Sequence, residues 1–257
     1  MPESISFDRA ADFYDQTRDF PEPVATQGIQ AILEAAGDGA RFLDAGTGTG
    51  RVGVPLLKRG ADLFGVDLST KMMSRLRTKY PPARLAQGDV SQLPFPAKTF
   101  DAVLTCHVMH LVGPWNEALK EYRRVLKQKG VYINARTESV GESAHEQVRS
   151  HWRGLIKKYG IESQRPGIKD EKELYEALTA MGAKVTQEEV VRYHRTYVVR
   201  ELIERIAKRA HSHTWDVPND VMEKSLEELK LWAVREYGSL DTIYEEQACF
   251  ILDISHF

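Results

Sequence analysis

The stretch Leu43-Asp44-Ala45-Gly46-Thr47-Gly48-Thr49-Gly50 sets three glycines at alternate positions behind an aspartate. Glycine lets a backbone approach a ligand closely and turn through positive φ without steric cost. This run lies between an apolar segment, Arg41 to Ala45, and a helix-like segment from Arg51 to Arg59 that stops at Gly60. A helix start behind such a turn offers free N–H groups and a positive dipole end, which suit a carboxylate or phosphate. Asp67 closes the next apolar run, Ala61 to Asp67. A carboxylate at that place can accept hydrogen bonds from both ribose hydroxyls of a nucleoside. Further on, His107 and His110 follow the apolar run Phe100 to Cys106. Imidazole titrates near neutrality, so either histidine could take a proton from a reacting group.

The elements that must hold these residues alternate between strand and helix. Arg41–Ala45, Ala61–Asp67, Ala83–Gly88, Phe100–Cys106 and Val131–Ala135 read as strands. Ser69 is a plausible N-cap for a helix running to Tyr80, with Met72, Met73 and Leu76 at helical spacing and Pro81-Pro82 as the stop. Trp115 to Lys127 reads as helix, with Leu119, Tyr122, Val125 and Leu126 on one face. Such alternation implies a mostly parallel sheet covered on both faces. Downstream, Glu142–Tyr159, Asp170–Met181, Glu201–Arg209 and Val221–Tyr237 read as helices, and Ala183–Tyr197 and Thr242–Ser255 as late strands.

Composition narrows the function classes. The 257 residues carry 35 Lys and Arg against 37 Asp and Glu, so near-neutral charge gives no broad electrostatic reason to expect nucleic acid. No apolar run approaches the length of a membrane span, and the first residues lack the basic start and apolar stretch of a signal peptide. Cys106 and Cys249 lie far apart and form no metal or disulfide pattern, so no metal and a reducing, cytoplasmic setting are expected.

Two chemistries share this layout. Read literally, Gly48-Thr49-Gly50-Arg51-Val52-Gly53 matches the dinucleotide pattern, with Asp67 near the expected distance, so an NAD(P)-dependent oxidoreductase is one alternative. Asp44 opposes it, because a pyrophosphate beside Asp44 would meet a like charge, whereas an aminoacyl nucleoside brings an ammonium. At this point the chain resembles the class I S-adenosylmethionine-dependent methyltransferases of the small-molecule type. The family's acidic residue and glycine motif are matched by Asp44, Gly46, Gly48 and Gly50, and its second acidic position by Asp67. Gln87-Gly88-Asp89-Val90 with Leu93-Pro94-Phe95 resembles the loop after its third strand. Phe100–Leu104 through His107 and His110 resembles its fourth strand and following loop. Arg124-Val125-Leu126-Lys127 with Gly130 resembles a later helix end, although Gln128 and Lys129 replace the usual Pro-Gly. The resemblance covers residues 7 to 136.

The resemblance implies a Rossmann-like, doubly wound α/β fold: a seven-stranded, mostly parallel sheet with an antiparallel last strand and a helical cap. It implies S-adenosyl-L-methionine as cofactor and a small-molecule methyl acceptor, in a monomer or homodimer. One domain is expected, with residues 1–36 as N-terminal lid helices and 37–136 as the cofactor core. Residues 137–182 and 198–240 would be cap inserts, and 183–197 and 241–257 late strands. Asp44 would hold the methionyl ammonium, or serve only as a helix-end charge. Gly46, Thr47, Gly48 and Gly50 would line the methionyl part, and Asp67 would grip the ribose. Leu68 and Met72 would flank the adenine unless Met72 is simple core. Asp89 would meet the adenine amino group, or serve as a turn aspartate, and Val90 would supply an amide. Cys106 would face the methionyl group as a buried, inert thiol. Tyr14 or Arg18 would reach the cofactor carboxylate, or belong to a docking helix, and Arg51 reads as a surface residue. His107 and His110 would serve as catalytic bases near the reactive methyl, or fill the wall. The basic stretch Arg195–His213 could favour an anionic acceptor, a solvated helix face being the plainer alternative. A non-catalytic S-adenosylmethionine-binding module is the remaining rival.

Overall fold

In a computed structural model of the chain, residues 3–18, 20–162 and 166–257 are described. Met1, Pro2 and Asp19 from the expected lid, and Ser163–Arg165 from the first expected insert, lie outside the described residues. The chain divides into two compact units. Unit 1 is Met1–Thr137, Arg165–Val191 and Phe250–Phe257, and unit 2 is Glu138–Gln164 and Arg192–Cys249.

Seven strands form one sheet: β1 Arg41–Ala45, β2 Asp62–Asp67, β3 Arg84–Gln87, β4 Phe100–Cys106, β5 Leu126–Val140, β6 Lys184–Val198 and β7 Ile243–His256. Their order is β3-β2-β1-β4-β5-β7-β6, and the last strand is antiparallel, as expected. β1 pairs in parallel with β2 on one side and β4 on the other. The chain therefore winds outward in both directions from β1 and β4. In open α/β sheets, ligands bind beyond the carboxyl ends of the strands at such a switch point. Ala45, Asp67 and Cys106 are the residues that end β2's neighbour β1, β2 itself and β4.

In unit 1 a large apolar cluster forms much of the core, and Val54, Leu76 and Ala83 form a smaller one. Leu43, Val66, Phe100, Val103, Leu119, Tyr122, Tyr132 and Leu174 are buried in the large one. The helices are α1 Tyr14–Thr17, α2 Ile29–Ala36, α3 Gly53–Lys58, α4 Thr70–Lys79, α5 Trp115–Val125 and α7 Glu171–Ala180. A π-helical turn, Val24–Gly28, leads into α2. Ser69 caps α4 as expected, its hydroxyl accepting from the Met72 N–H at 3.0 Å. α5 stops two residues earlier than its apolar pattern suggests, because Leu126 already pairs with Phe100 in the sheet.

Unit 2 holds α6 Ala144–Lys158, α8 Val199–Ala207 and α9 Asn219–Tyr237. Its core packs Val148, Trp152, Ile156, Leu202, Ile206, Leu229 and Ala233. Among the described residues no helix is long and apolar enough to cross a membrane.

Candidate active site

The turn after β1 is fixed by the neighbouring strand. Gly46 and Thr47 both donate their N–H to the Val66 carbonyl, at 2.8 and 3.0 Å. Gly46 has φ +82, and a Cβ there would come within 2.5 Å of the Val108 side chain, so both conformation and space demand glycine. Gly50 has φ +81, and a Cβ would press on Val54 and Leu76. At Gly46, Gly48 and Gly50 the turn carries no side chain, whereas Thr47 and Thr49 between them donate to Asp44 and Asp15.

Two carboxylates frame the turn. Asp44 is buried at 3% exposure, and its Oδ2 accepts from the Thr47 hydroxyl at 2.7 Å. Burial pushes its carboxyl up to about 7, the Thr47 bond pulls it back, and the Asp67 charge adds to the rise. Asp67 is half-buried at the end of β2. Its Oδ2 accepts from the Gly48 N–H at 2.8 Å and its Oδ1 from the Ser69 N–H at 2.8 Å. Burial again raises the carboxyl, those backbone bonds oppose it, and Asp8 raises it further.

Around them, Met72 is buried on α4, its Cε 3.5 Å from where a Gly48 Cβ would stand. Leu68 is half-buried and accepts from the Gln87 side chain at 3.2 Å through its carbonyl. Asp89 Oδ1 accepts from both the N–H and the hydroxyl of Ser91, at 2.8 and 2.7 Å, which is a turn-forming arrangement. Val90 beside it is buried. The loop carrying Asp89 is clamped from α5. Glu121 accepts from the Leu93 N–H at 2.7 Å, and Arg124 donates to the Phe95 and Leu93 carbonyls at 2.8 and 3.1 Å. Arg124 holds the Glu121 carboxyl below its usual range. Phe95 meanwhile packs edge-on against Phe100 at 5.0 Å. Glu121 was not singled out from the sequence, and an i, i+3 Glu–Arg pair at a helix end is the signal that could have found it.

Past β4 the chain turns at His107, which has φ +56. A non-glycine residue held in the left-handed region is uncommon, and such strain concentrates at functional sites. The His107 N–H donates to the Ala135 carbonyl at 3.3 Å, and its Nε2 lies 3.1 Å from the Thr137 hydroxyl. Burial drives the imidazole well below its ordinary range, and the charges of Arg51, His110, Arg18 and Arg136 push the same way. His107 is therefore neutral at physiological pH and binds a proton weakly. His110 is half-buried in the turn Met109–Leu111, and its carbonyl accepts from the Gly167 N–H at 3.2 Å. A Cβ on Gly167 would meet the Met109 carbonyl at 2.0 Å, so only glycine allows this segment to brace the loop.

The N-terminal segment belongs to the same site. Arg18 lies 4.9 Å from the Tyr14 ring and 5.6 Å from the Phe7 ring. Asp15 accepts from the Thr49 hydroxyl at 2.6 Å and pairs with Lys79 at 2.7 Å, Asp8 accepts from Ser69 at 2.5 Å, and Asp12 pairs with Arg75. Arg51 corrects the expectation of a surface residue. It is half-buried, donates to the Arg18 carbonyl at 3.0 Å, sits 4.1 Å from the Phe20 ring centroid, and reaches the Cys106 sulfur at 3.5 Å. It lies before α3 begins at Gly53, so it follows turn geometry rather than the helix periodicity that suggested an outward face. Burial raises the Cys106 thiol, against the pull of Arg51, so it is the neutral thiol.

Asp44, Thr47, Gly48, Asp67 and Met72 thus form one connected group. Arg18, Arg51 and Cys106 form another, with His107 feeling the charge of both arginines. Among the described residues no cluster of His, Cys, Asp and Glu could hold a metal ion.

Residues 43–134 match the protein family described as "Methyltransferase domain". The chain is 34% identical over 141 residues to an uncharacterized methyltransferase of Mycobacterium tuberculosis, covering 54% of this chain and 56% of the relative. It is 34% identical over 136 residues to the demethylmenaquinone methyltransferase of Beutenbergia cavernae, covering 50% of this chain and 55% of that one. The match thus spans little more than half the length of these relatives. Among solved structures it is similar to phosphoethanolamine N-methyltransferase 2 of Haemonchus contortus in complex with S-adenosyl-L-methionine. That likeness has a TM-score of 0.56 at 18% identity, over 97% of this chain and 57% of that one. The YcgJ protein of Bacillus subtilis gives a TM-score of 0.58 at 18% identity, over 88% and 97%. At such identity these structures speak for the fold.

Proposed function

We propose that this chain, which belongs through residues 43–134 to the class I S-adenosylmethionine-dependent methyltransferases, transfers a methyl group to a small-molecule acceptor. The observation that carries the proposal is the pair of buried or half-buried carboxylates, Asp44 and Asp67, around a glycine-rich turn at the sheet's switch point.

The donor set suits the cofactor. Asp44 is a buried acid that accepts from the Thr47 hydroxyl, and an ammonium beside it would favour its ionised form. Asp67 retains lone pairs beyond its two backbone bonds and would receive the ribose hydroxyls. Gly46, Thr47, Gly48 and Gly50 would border the methionyl part, and Leu68, Met72, Asp89 and Val90 the adenine. Tyr14, Arg18 and Cys106 would complete the enclosure. Asp89 spends one oxygen on Ser91 and offers the other. The bound sulfonium supplies an activated methyl group.

The chain's own work is to orient and to exclude water. Orientation of two reactants can supply several kcal/mol without a strong acid or base. That suits His107, which is neutral but a weak base. We assign it to accept a hydrogen bond from the acceptor's nucleophile, with Thr137 fixing its ring and His110 as the second candidate for the proton. Asp44 also weighs against a dinucleotide. Its Oδ2 lies 2.7 Å from where a Gly53 Cβ would stand, so a pyrophosphate at that helix start would face a carboxylate. The deciding experiment is a metabolite screen that follows conversion of S-adenosylmethionine to S-adenosylhomocysteine. Binding of NAD(P) but not S-adenosylhomocysteine would replace this function with the oxidoreductase, and binding without any turnover would favour the non-catalytic module.

A further inference from the structure

His107 is tied to β5 twice. Its N–H donates to the Ala135 carbonyl at 3.3 Å, and its Nε2 lies 3.1 Å from the Thr137 hydroxyl. Its backbone stands at φ +56. A side-chain-bearing residue stays in that region only where its surroundings over-determine it. β5 must therefore itself be fixed at residues 135–137, and so must the end of β4, which stops at Cys106.

A buried network in unit 1 fixes both. Side chains alternate along a strand, so Asn134 and Arg136 fall on the opposite face of β5 from Ala135 and Thr137. Both end on one carboxylate, Asp253 of β7, which is 1% exposed. Its Oδ2 accepts from Asn134 Nδ2 at 3.1 Å and from Arg136 Nε at 2.8 Å. Its Oδ1 accepts from the Tyr175 hydroxyl at 2.6 Å and from Arg136 Nη2 at 3.3 Å. The network then crosses into β4. Thr105 pairs with Asn134 in the sheet register and donates its hydroxyl to Asn134 Oδ1 at 3.0 Å. That bond uses the only hydrogen Thr105 has to give, so the Tyr132 hydroxyl donates to Thr105 at 2.9 Å. Each hydrogen in the run Tyr132, Thr105, Asn134 thus points one way, and the run ends at Asp253. Thr105, Tyr132 and Asn134 are all buried. A satisfied network in such surroundings is stiff and specifies one arrangement.

We propose that Asp253 is a positioning residue of the methyl-transfer site, holding the strained His107 turn by bracing β4 and β5 through Thr105, Asn134 and Arg136. The consequence for turnover rests on the assignment of His107 to the acceptor's nucleophile, whereas the bracing itself does not.

Two near-isosteric variants of the full chain cut the brace at different points. Asp253→Asn turns one carboxylate oxygen into a donor among groups that donate. Thr105→Val removes the hydroxyl that joins β4 to β5 and leaves Asp253 in place, so it decides the matter if Asp253→Asn fails to fold. With isotopically labelled histidine, the His107 ring-nitrogen resonances are those missing from His107→Ala. Thr137→Val removes the ring's partner directly and sets the direction of the change. Both brace variants should move the His107 resonances in that direction. Resonances at their wild-type positions in either folded brace variant, with only Tm lowered, overturn the proposal. With an acceptor from the metabolite screen, each brace variant should lower kcat about tenfold while KM for S-adenosylmethionine stays within about twofold. Neither should lower kcat further once His107→Ala is present, because residues acting through one another are not additive. Losses that multiply overturn the route through His107. A fully active His107→Ala would remove the His107 assignment alone, and the resonances would still decide the bracing.

Discussion

Asp67 Oδ2 accepts the N–H of Gly48 at 2.8 Å, so the carboxylate that closes β2 also holds the middle of the glycine turn after β1. The residue assigned to the ribose is therefore an anchor for the loop that would border the methionyl part. Asp67→Ala removes both at once. S-adenosylhomocysteine binding should weaken by ~2–3 kcal/mol, about a hundredfold, in calorimetry, since hydrogen bonds to a charged group are the strong ones. An unchanged affinity would remove the ribose assignment. Asp67→Asn keeps an acceptor oxygen and should lose less.

Asp44, as assigned, should make cofactor binding depend on pH. Its folded-state carboxyl is raised from 3.8 to about 7, so the folded protein holds a proton that the unfolded chain has released between those values. Ionising it inside the fold costs stability. The cost is absent below 3.8, grows as pH rises, and is complete above about 7, reaching on the order of a few kcal/mol. Asp44→Asn should raise Tm at pH 8 relative to wild type, with the difference vanishing in acid. An ammonium ligand favours the ionised form, so S-adenosylhomocysteine should bind wild type more tightly as pH rises toward 8. The asparagine variant should lack that slope, and a parallel slope in both proteins would place the ammonium elsewhere.

His107, as assigned, should separate turnover from binding. Its ring faces Thr137 and the arginine charges, whereas the cofactor assignments rest on other residues. His107→Ala should leave S-adenosylhomocysteine affinity within about twofold while lowering kcat by about tenfold to a hundredfold, at the modest end of general-base effects. Because the imidazole is held well below 6.5, its protonation should not cut activity between pH 6 and 8. A full loss of cofactor binding in His107→Ala would show instead that the strained turn at φ +56 shapes the cofactor site.

The sequence made the β-α-β core and the Asp44, Gly46, Gly48, Gly50 and Asp67 pattern legible, because each depends on residues close together in the chain. Strand order at the sheet's far edge followed from the family resemblance rather than from periodicity. Arg51 was misplaced because its inward course depends on Arg18, Phe20 and Cys106, which only the fold brings near. The clamp of Glu121 and Arg124 on the 93–95 loop was hidden for the same reason: helical spacing marks them as a surface pair, and nothing local names the carbonyls they hold.

Arg51 should govern how firmly the N-terminal segment closes on the glycine turn. Its hydrogen bond to the Arg18 carbonyl and its contact with the Phe20 ring tie that segment, and these two are worth together ~1–2 kcal/mol. Arg51→Met should accelerate limited proteolysis within the first 20 residues and weaken S-adenosylhomocysteine binding by about threefold to tenfold. Global Tm should move little. Proteolysis at the wild-type rate would show that Asp8, Asp12 and Asp15 hold the segment without it.

Behind the His107 turn, Arg136 and Asp253 form an ion pair at 2.8 Å with side chains only 7% and 1% exposed. Asp253 also accepts from Tyr175 at 2.6 Å and Asn134 at 3.1 Å. Removing one charge leaves the other buried and uncompensated, so Arg136→Met should cost ~3–5 kcal/mol in denaturant unfolding. Replacing both groups by apolar ones avoids that penalty, because the desolvation of a buried pair nearly cancels its attraction. The double variant Arg136→Met/Asp253→Leu should therefore be more stable than Arg136→Met alone, although Tyr175 and Asn134 each lose an acceptor. If the double variant is instead the less stable of the two, the hydrogen bonds to Asp253 outweigh its charge, and the network behind His107 is held by neutral partners rather than by the arginine.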